Sequence, residues 1–408
     1  MLERVLLNAG GRAARLSSVR RMAVCLATVL TVVTLLLQAA ADPTNLLGKS
    51  RSPASAGAAG PKFSAPRAGS AVPHVASRPK GRRFVQLGVD VWWSKTQAYD
   101  TPARELGESE AIIKDVVGYL HANSVALAFP VFDRSTTSNR VYRSAATPST
   151  DDLRILIQVA QAAGLNVELR PMIQIGANGW EGLLQPSNRH RFLMSYYYAV
   201  RPYLVLAQQM HVSTFIYASE WLLLSSNSAY AGWFAYMVDL MRHWYTGRLV
   251  YDESGMQYLP QRDVTPDRSA YGLHTDAYWP APEPDNLTAS QLEFWWYLYL
   301  SRLPAIVRAQ TVLQEVGFDA GPGGYRHPSL SMNPPTDTHF LWMQENWFSM
   351  VCAIVHRFNM RGVYFWRLNF NFDPATTTSD SSYLSGNDWV SRIGAATVSR
   401  CFATFYTR

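Results

Sequence analysis

From about residue 84 onward, short apolar runs rich in β-branched and aromatic residues alternate with longer segments of helical periodicity. The runs 85–91, 124–129, 166–171, 213–218, 248–251, 271–275, 311–314 and 362–366 read as eight strands. Helical patterns fill 108–121, 150–163, 189–210, 230–245, 289–308 and 336–358, and a last one runs from about 389 to 405. The fifth connection, 252–270, is short, irregular and contains two prolines. Thr150-Asp151-Asp152 puts a capping hydroxyl and negative charge at a helix start, where amide groups lack partners. Gly164 follows the same helix, where a left-handed residue ends it at low cost.

Strands alternating with helices predict a parallel sheet. Eight such units in about 325 residues predict a (β/α)₈ TIM barrel. The alternative, an open doubly wound sheet, is disfavoured because no strand is followed by a GxGxxG turn. No internal repeat of 20–50 residues is present.

The first 83 residues have another character. Five arginines (Arg4, Arg12, Arg15, Arg20, Arg21) precede an uncharged apolar run over 22–41 that ends in three alanines. Residues 1–41 therefore read as a signal peptide or a membrane anchor. A cleaved signal and an uncleaved tether through 22–41 both fit that order. Residues 42–83 read as a disordered linker, since Ala, Pro, Gly and Ser supply 25 of its 42 positions without apolar periodicity. Residues 84–408 form the expected catalytic domain. Its location is expected to be secreted or extracytoplasmic and membrane-anchored.

Charge sharpens this division. The chain carries a net charge of +7, but residues 1–83 hold +11 and the remainder −4. The basic excess is confined to the tail, which argues against a nucleic-acid partner reading a folded basic face. No P-loop, GxSxG or HExxH is present, and the nine histidines and three cysteines show no metal-ligand spacing, so neither metal nor organic cofactor is expected. Cys352 and Cys401 leave two alternatives open, a disulfide or two buried thiols.

In a TIM barrel the chemistry sits at the carboxyl ends of the strands. Glu220 and Glu315 each close an apolar run there, in TFIYASE and TVLQE, at strands four and seven. A carboxylate in such a place costs desolvation unless it is paired or used. Two carboxyl groups flanking one bond are what glycoside hydrolysis requires. Other residues at predicted strand ends are candidates for sugar binding: Asp90, Trp92, Phe132, Arg170, Asp276, Tyr278, Trp279 and Trp366. Flat rings stack on sugar faces and polar groups bind hydroxyls. Core packing accounts for at least half of the 13 tryptophans. His274 and His327, also near strand ends, read as hydrogen-bonded structural residues rather than substrate contacts.

Seven segments, in order, carry a resemblance: SVALAFPVFDRSTTSNRVY, TPSTDDLRILIQVAQAAGLNVELRP, FIYASEW, GWFAYMVDLMRHWYTGRLVYD, YGLHTDAYWP, TVLQEVGF and GVYFWR. Together, over residues 84 to 366, they resemble glycoside hydrolase family 113, the β-mannanase-like barrels of clan A. The resemblance implies that Glu220 is the general acid/base and Glu315 the nucleophile of a retaining hydrolase. It implies a β-linked polysaccharide or oligosaccharide substrate, with β-1,4-mannan the first choice. Three positions depart from the family pattern. Arg170-Pro171-Met172 stands where the family tends to Lys-Pro-His, Ser219 where it shows Thr, and Phe318 where it shows Tyr. Two other functions fit the same residues: a non-catalytic carbohydrate-binding barrel at the cell surface, and a transglycosylase of an envelope glycan.

Overall fold

Eight parallel strands close on themselves in sequence order, β1 pairing with both β2 and β8. The computed structural model describes residues 73–75, 83–95, 101–176, 179–255, 273–281, 284–318, 320–329, 340–370 and 393–407. The expected signal or anchor over 1–41 and nearly all of the linker lie outside the described residues. The strands are β1 (Gln86–Trp92), β2 (Ser124–Asp133), β3 (Asn166–Ile175), β4 (Thr214–Ser219), β5 (Arg248–Ser254), β6 (Leu273–Asp276), β7 (Thr311–Val316) and β8 (Gly362–Asn369). The helices are α1 (Pro102–Lys114), α2 (Thr150–Ala162), α3 (Arg189–Gln209), α4 (Leu222–Ser225), α5 (Ala231–Arg242), α6 (Ala289–Leu300), α7 (Ala305–Gln310), α8 (Leu341–Arg357) and α9 (Ile393–Thr407). The fold is the predicted (β/α)₈ barrel.

Local signals account for most boundaries. Helix α2 is capped by Ser149 rather than Thr150: its hydroxyl accepts from the Asp152 amide, and the Asp152 carboxylate accepts from the Ser149 amide. Gly164 takes φ +85° just past this helix, as its position predicts. The single helix expected over 289–308 is two, because Pro304 cannot donate to an ongoing helix and instead precedes α7. Strands β2 and β3 run past their prolines. Pro130 pairs with Met172, and β3 meets β4 only at Glu168 and Leu169, so Pro171 lies beyond that ladder. Four residues of the expected linker, 73–75 and Arg83, are ordered against the barrel, the Val75 amide donating to the Ala163 carbonyl at 2.9 Å and the Arg83 guanidinium to the Asn359 carbonyl at 3.1 Å.

The alternation of a strand sends neighbouring side chains to opposite faces. The outward set, including Val89, Val91, Leu127 and Phe129, joins Leu153, Leu156 and Ile157 of α2 in one continuous core between barrel and helices. Inside the barrel a small apolar layer of Ala126, Val312 and Tyr364 is separate from it. Gly88 is needed at this level, since a Cβ there would stand 2.3 Å from the Tyr364 ring. Next to it lies a polar layer. Glu168 accepts from Gln86 at 2.7 Å and from Gln314 at 3.3 Å, and His274 Nδ1 meets Gln314 Oε1 at 2.6 Å. Burial pushes His274 down to about 3, so its ring is neutral and structural. Outside the strands, Cys352 of α8 and Cys401 of α9 form a disulfide with Cα atoms 5.8 Å apart. Among the described residues no helix is long and apolar enough to cross a membrane.

Candidate active site

Register shifts decide what faces the mouth of the barrel. Gln314 and Glu315 are adjacent, yet the first bonds within the polar layer and the second reaches Arg170 and Tyr278 at the carboxyl end. Regular alternation would send one of them outward. Irregularities between Thr275 and Asp276, and between Leu313 and Val316, let β7 place both inside. A similar shift between Ile216 and Ala218 sets the end of β4, where Ser219 pairs with Asp252 of β5. The next residue, Glu220, has a left-handed backbone with φ +52°. Its amide donates to the Asp252 carbonyl at 2.9 Å.

Arg170, fully buried on β3, is the hub. Its Nη1 lies 2.7 Å from Glu315 Oε2 and 3.3 Å from Asp90 Oδ1. Its Nη2 lies 2.6 Å from Asp252 Oδ2, 2.8 Å from Asp276 Oδ2 and 2.8 Å from Ser219 Oγ. Ser219 in turn donates to Asp252 at 2.9 Å. One guanidinium thus faces four carboxyl groups. Burial drives Asp90 and Asp276 well above the usual carboxylate range against the pull of Arg170. The guanidinium fills the space between these carboxyls, and among the described residues no group of His, Cys, Asp and Glu is arranged to hold a metal ion.

The two strand-end glutamates are held differently. Glu315 accepts from the Tyr278 hydroxyl at 2.6 Å and pairs with Arg170. Burial raises its pKa, but Arg170 and then Tyr278 pull it back. Glu220 accepts from the Trp180 indole at 2.8 Å. Burial, with the charge of Glu315 next, pushes its carboxyl well above the ordinary range, and the single indole bond opposes this weakly. Both carboxyls are shifted upward by burial, but Glu315 has a cation and a hydroxyl opposing that shift where Glu220 has a single neutral indole. That asymmetry is what an acid and a nucleophile need.

The remaining predicted residues divide into two sets. Trp92 and Trp366 stand at the mouth with ring centroids 6.0 Å apart, and Trp366 also lies 5.5 Å from the Arg170 guanidinium. Phe132 is half-buried at the end of β2 and faces Tyr142. Tyr278 bonds Glu315 as described. Trp279 is not placed to stack on a sugar. It is 3% exposed, its N–H donates to the Gly255 carbonyl, and its ring packs edge-on against Trp296. Asp90, Asp276 and Arg170 are also corrected, being buried and committed to one another beneath the mouth rather than open to sugar hydroxyls. Trp93 and Trp221 are core residues as well. Sequence reading missed Asp252 and Glu181. Asp252 closes the apolar run of β5, the same signal that marks Glu220 and Glu315, and it lies within the strand rather than at the start of the expected connection 252–270.

Comparison with known proteins bears on this barrel. A GH113 β-1,4-mannanase solved as a complex superposes with a TM-score of 0.64 at 15% identity, covering 79% of this chain and 99% of that one. The GH113 β-mannanase AaManA from Alicyclobacillus acidocaldarius, in complex with ManMIm, superposes with a TM-score of 0.60 at 17% identity, covering 79% and 98%. At such identities the likeness is one of fold. No curated protein sequence matches. The family model for Glycoside Hydrolase Family 113 matches residues 92–385, a span that holds both strand-end glutamates, Arg170 and Trp366. The match extends over well more than half of the sequence, and the chain belongs to glycoside hydrolase family 113.

Proposed function

We propose that this glycoside hydrolase cleaves β-1,4-linked mannan or its oligosaccharides with retention of configuration. The observation that carries this reading is the unequal treatment of the two glutamates, Glu315 by a cation and a hydroxyl, Glu220 by one neutral indole. In the first step a Glu315 oxygen attacks the anomeric carbon while Glu220 gives its proton to the departing glycosidic oxygen. The products are a glycosyl ester on Glu315 and a free hydroxyl on the leaving sugar. In the second step Glu220, now a carboxylate, takes a proton from water. The water oxygen attacks the anomeric carbon, and Glu315 leaves as the carboxylate. Tyr278 and Arg170 stabilise Glu315 both before attack and on departure. Trp92 and Trp366 offer rings for the sugar faces.

The mannan preference is supported by family membership and by the β-mannanase titles of the similar structures. The Cys352–Cys401 disulfide supports an enzyme that works outside the cytoplasm, in keeping with the basic and apolar order of residues 1–41.

The test uses the full chain with Glu315→Ala and Glu220→Ala on β-mannan, β-glucan, xylan and envelope polysaccharides. Loss of about 10²–10⁴-fold is expected on mannan when the acid/base is removed. Proton NMR of the first product should show the β anomer. An initial α anomer would refute retention. Folded protein that binds glycans equally well with and without either glutamate, and hydrolyses none, would point to the binding barrel.

A further inference from the structure

We propose that Glu181 is a positioning residue that governs the protonation of the acid/base, acting through the short turn that also carries Trp180. The proposal rests on the reading of Glu220 as the proton donor. Trp180 ends the loop after β3, and Glu181–Leu183 form one 3₁₀ turn directly behind it. The turn is closed by the Leu183 amide donating to the Trp180 carbonyl and the Leu184 amide to the Glu181 carbonyl, both at 3.1 Å. It packs against α4, the short helix that begins two residues after Glu220. A Cβ on Gly182 would stand 2.4 Å from the Trp180 ring, so the turn lies flat on the indole that bonds Glu220. The loop and the acid/base are therefore one packed unit.

Glu181 is 8% exposed in this unit, and among the described residues it forms no ion pair. The charged and titratable groups that face it come from every neighbouring element: Glu315 from β7, Arg170 from β3, Asp252 from β5, Glu220 after β4, and Tyr196 from α3. The Tyr196 hydroxyl is committed to the Tyr217 carbonyl at 2.6 Å. Burial pushes the Glu181 carboxyl up to about 8. Its own amide and Arg170 oppose this, while Glu315 and Asp252 add to it.

The consequence follows from like charges at close quarters. Below about pH 8 Glu181 is neutral and leaves Glu220 undisturbed. Above it, the charge of the Glu181 carboxylate acts on Glu220 and opposes the loss of its proton. The pair then titrates in two macroscopic steps, the later one displaced upward. A neutral side chain at 181 removes that opposition, and Glu220 releases its proton at lower pH. The alkaline limb of activity must therefore move down when the carboxyl is removed.

The experiment measures kcat/KM from pH 5 to 10 for the full chain, Glu181→Gln and Glu220→Ala. The substrates are β-1,4-mannohexaose and 2,4-dinitrophenyl β-mannoside, whose leaving group needs no proton. Glu181→Gln is expected to lower the alkaline limb for mannohexaose by about one pH unit, a roughly tenfold loss on that limb. It should change little at pH 6 and leave the dinitrophenyl limb in place. An unmoved mannohexaose limb overturns the proposal, and so does an equal loss at every pH on both substrates. If Glu220→Ala hydrolyses mannohexaose as fast as the intact chain, the acid/base reading itself fails, a result distinct from either. Carbon NMR of the intact chain with labelled glutamate side chains needs no substitution. A glutamate titrating near pH 8 supports the proposal, and no glutamate titrating above pH 7 overturns it.

Discussion

Replacing Arg170 by methionine keeps a long flexible stem and removes the one guanidinium that serves Asp90, Asp252, Asp276 and Glu315. Arg170 is 0% exposed, so water does not replace it. Breaking a buried ion pair from one side costs about 3–5 kcal/mol, because the charges left behind are uncompensated. Against a total stability of about 5–15 kcal/mol this is severe, and it corresponds to roughly 5–15 °C in the unfolding midpoint. The sign with pH is the discriminating part. Carboxyls whose native pKa lies above the unfolded value near 4 bind more protons folded than unfolded, so stability falls as pH rises through that window. Removing the cation raises those native values further. Each carboxyl kept protonated then loses about 1.4 kcal/mol of stability per pH unit. Thermal unfolding of Arg170→Met and the intact chain at pH 5 and pH 8 measures this. The midpoint difference should be at least twice as large at pH 8. An equal difference at both pH values would mean that Arg170 matters only by filling space, and the electrostatic account of the hub would be wrong.

Trp180→Phe keeps a ring on Gly182 but loses the donor to Glu220; the carboxyl should rise further, moving the alkaline limb of kcat/KM up, opposite to Glu181→Gln. A downward shift would contradict the hydrogen bond's direction of effect. Gly182→Ala forces its methyl toward the Trp180 ring and should cost about 1–3 kcal/mol of stability, read by denaturant unfolding, together with activity lost through a displaced indole. Reducing the Cys352–Cys401 bond opens a 49-residue loop, and the unfolding midpoint under reductant should fall by the equivalent of up to about 4 kcal/mol. An unchanged midpoint would show that α9 docks without it.

All eight strands were legible because a parallel strand buried on both faces reads as a plain apolar run. Their carboxyl ends were less so. The apolar run of β5 stops at Tyr251 because Asp252, Glu253 and Ser254 are polar, yet all three are buried. Polar residues at the top of a barrel satisfy one another across strands, and a pattern read along one strand cannot show such partners. The same blindness placed Asp90, Asp276 and Arg170 in the sugar site. Each stands at a strand end, but the four-way ion pairing that withdraws them from the cleft joins β1, β3, β5, β6 and β7. Glu181 lies outside any strand-end rule altogether. Only the fold of the loop onto α4 brings it near Glu220.

Of the four non-glycine residues with left-handed backbones among the described residues, His121, His211 and Asn359 follow helices, where such a turn ends the helix. Glu220 alone follows a strand. That conformation costs a residue with a Cβ about 1–2 kcal/mol, and glycine nearly nothing. The barrel is therefore less stable for carrying Glu220, in its backbone as well as in a buried carboxyl. A Glu220→Gly chain should be inert and yet unfold at a higher temperature. Mutational drift that relaxed this one position would find stability in the same step that ended catalysis. A lineage released from selection for hydrolysis would keep the barrel and the paired tryptophans at its mouth long after the chemistry had gone.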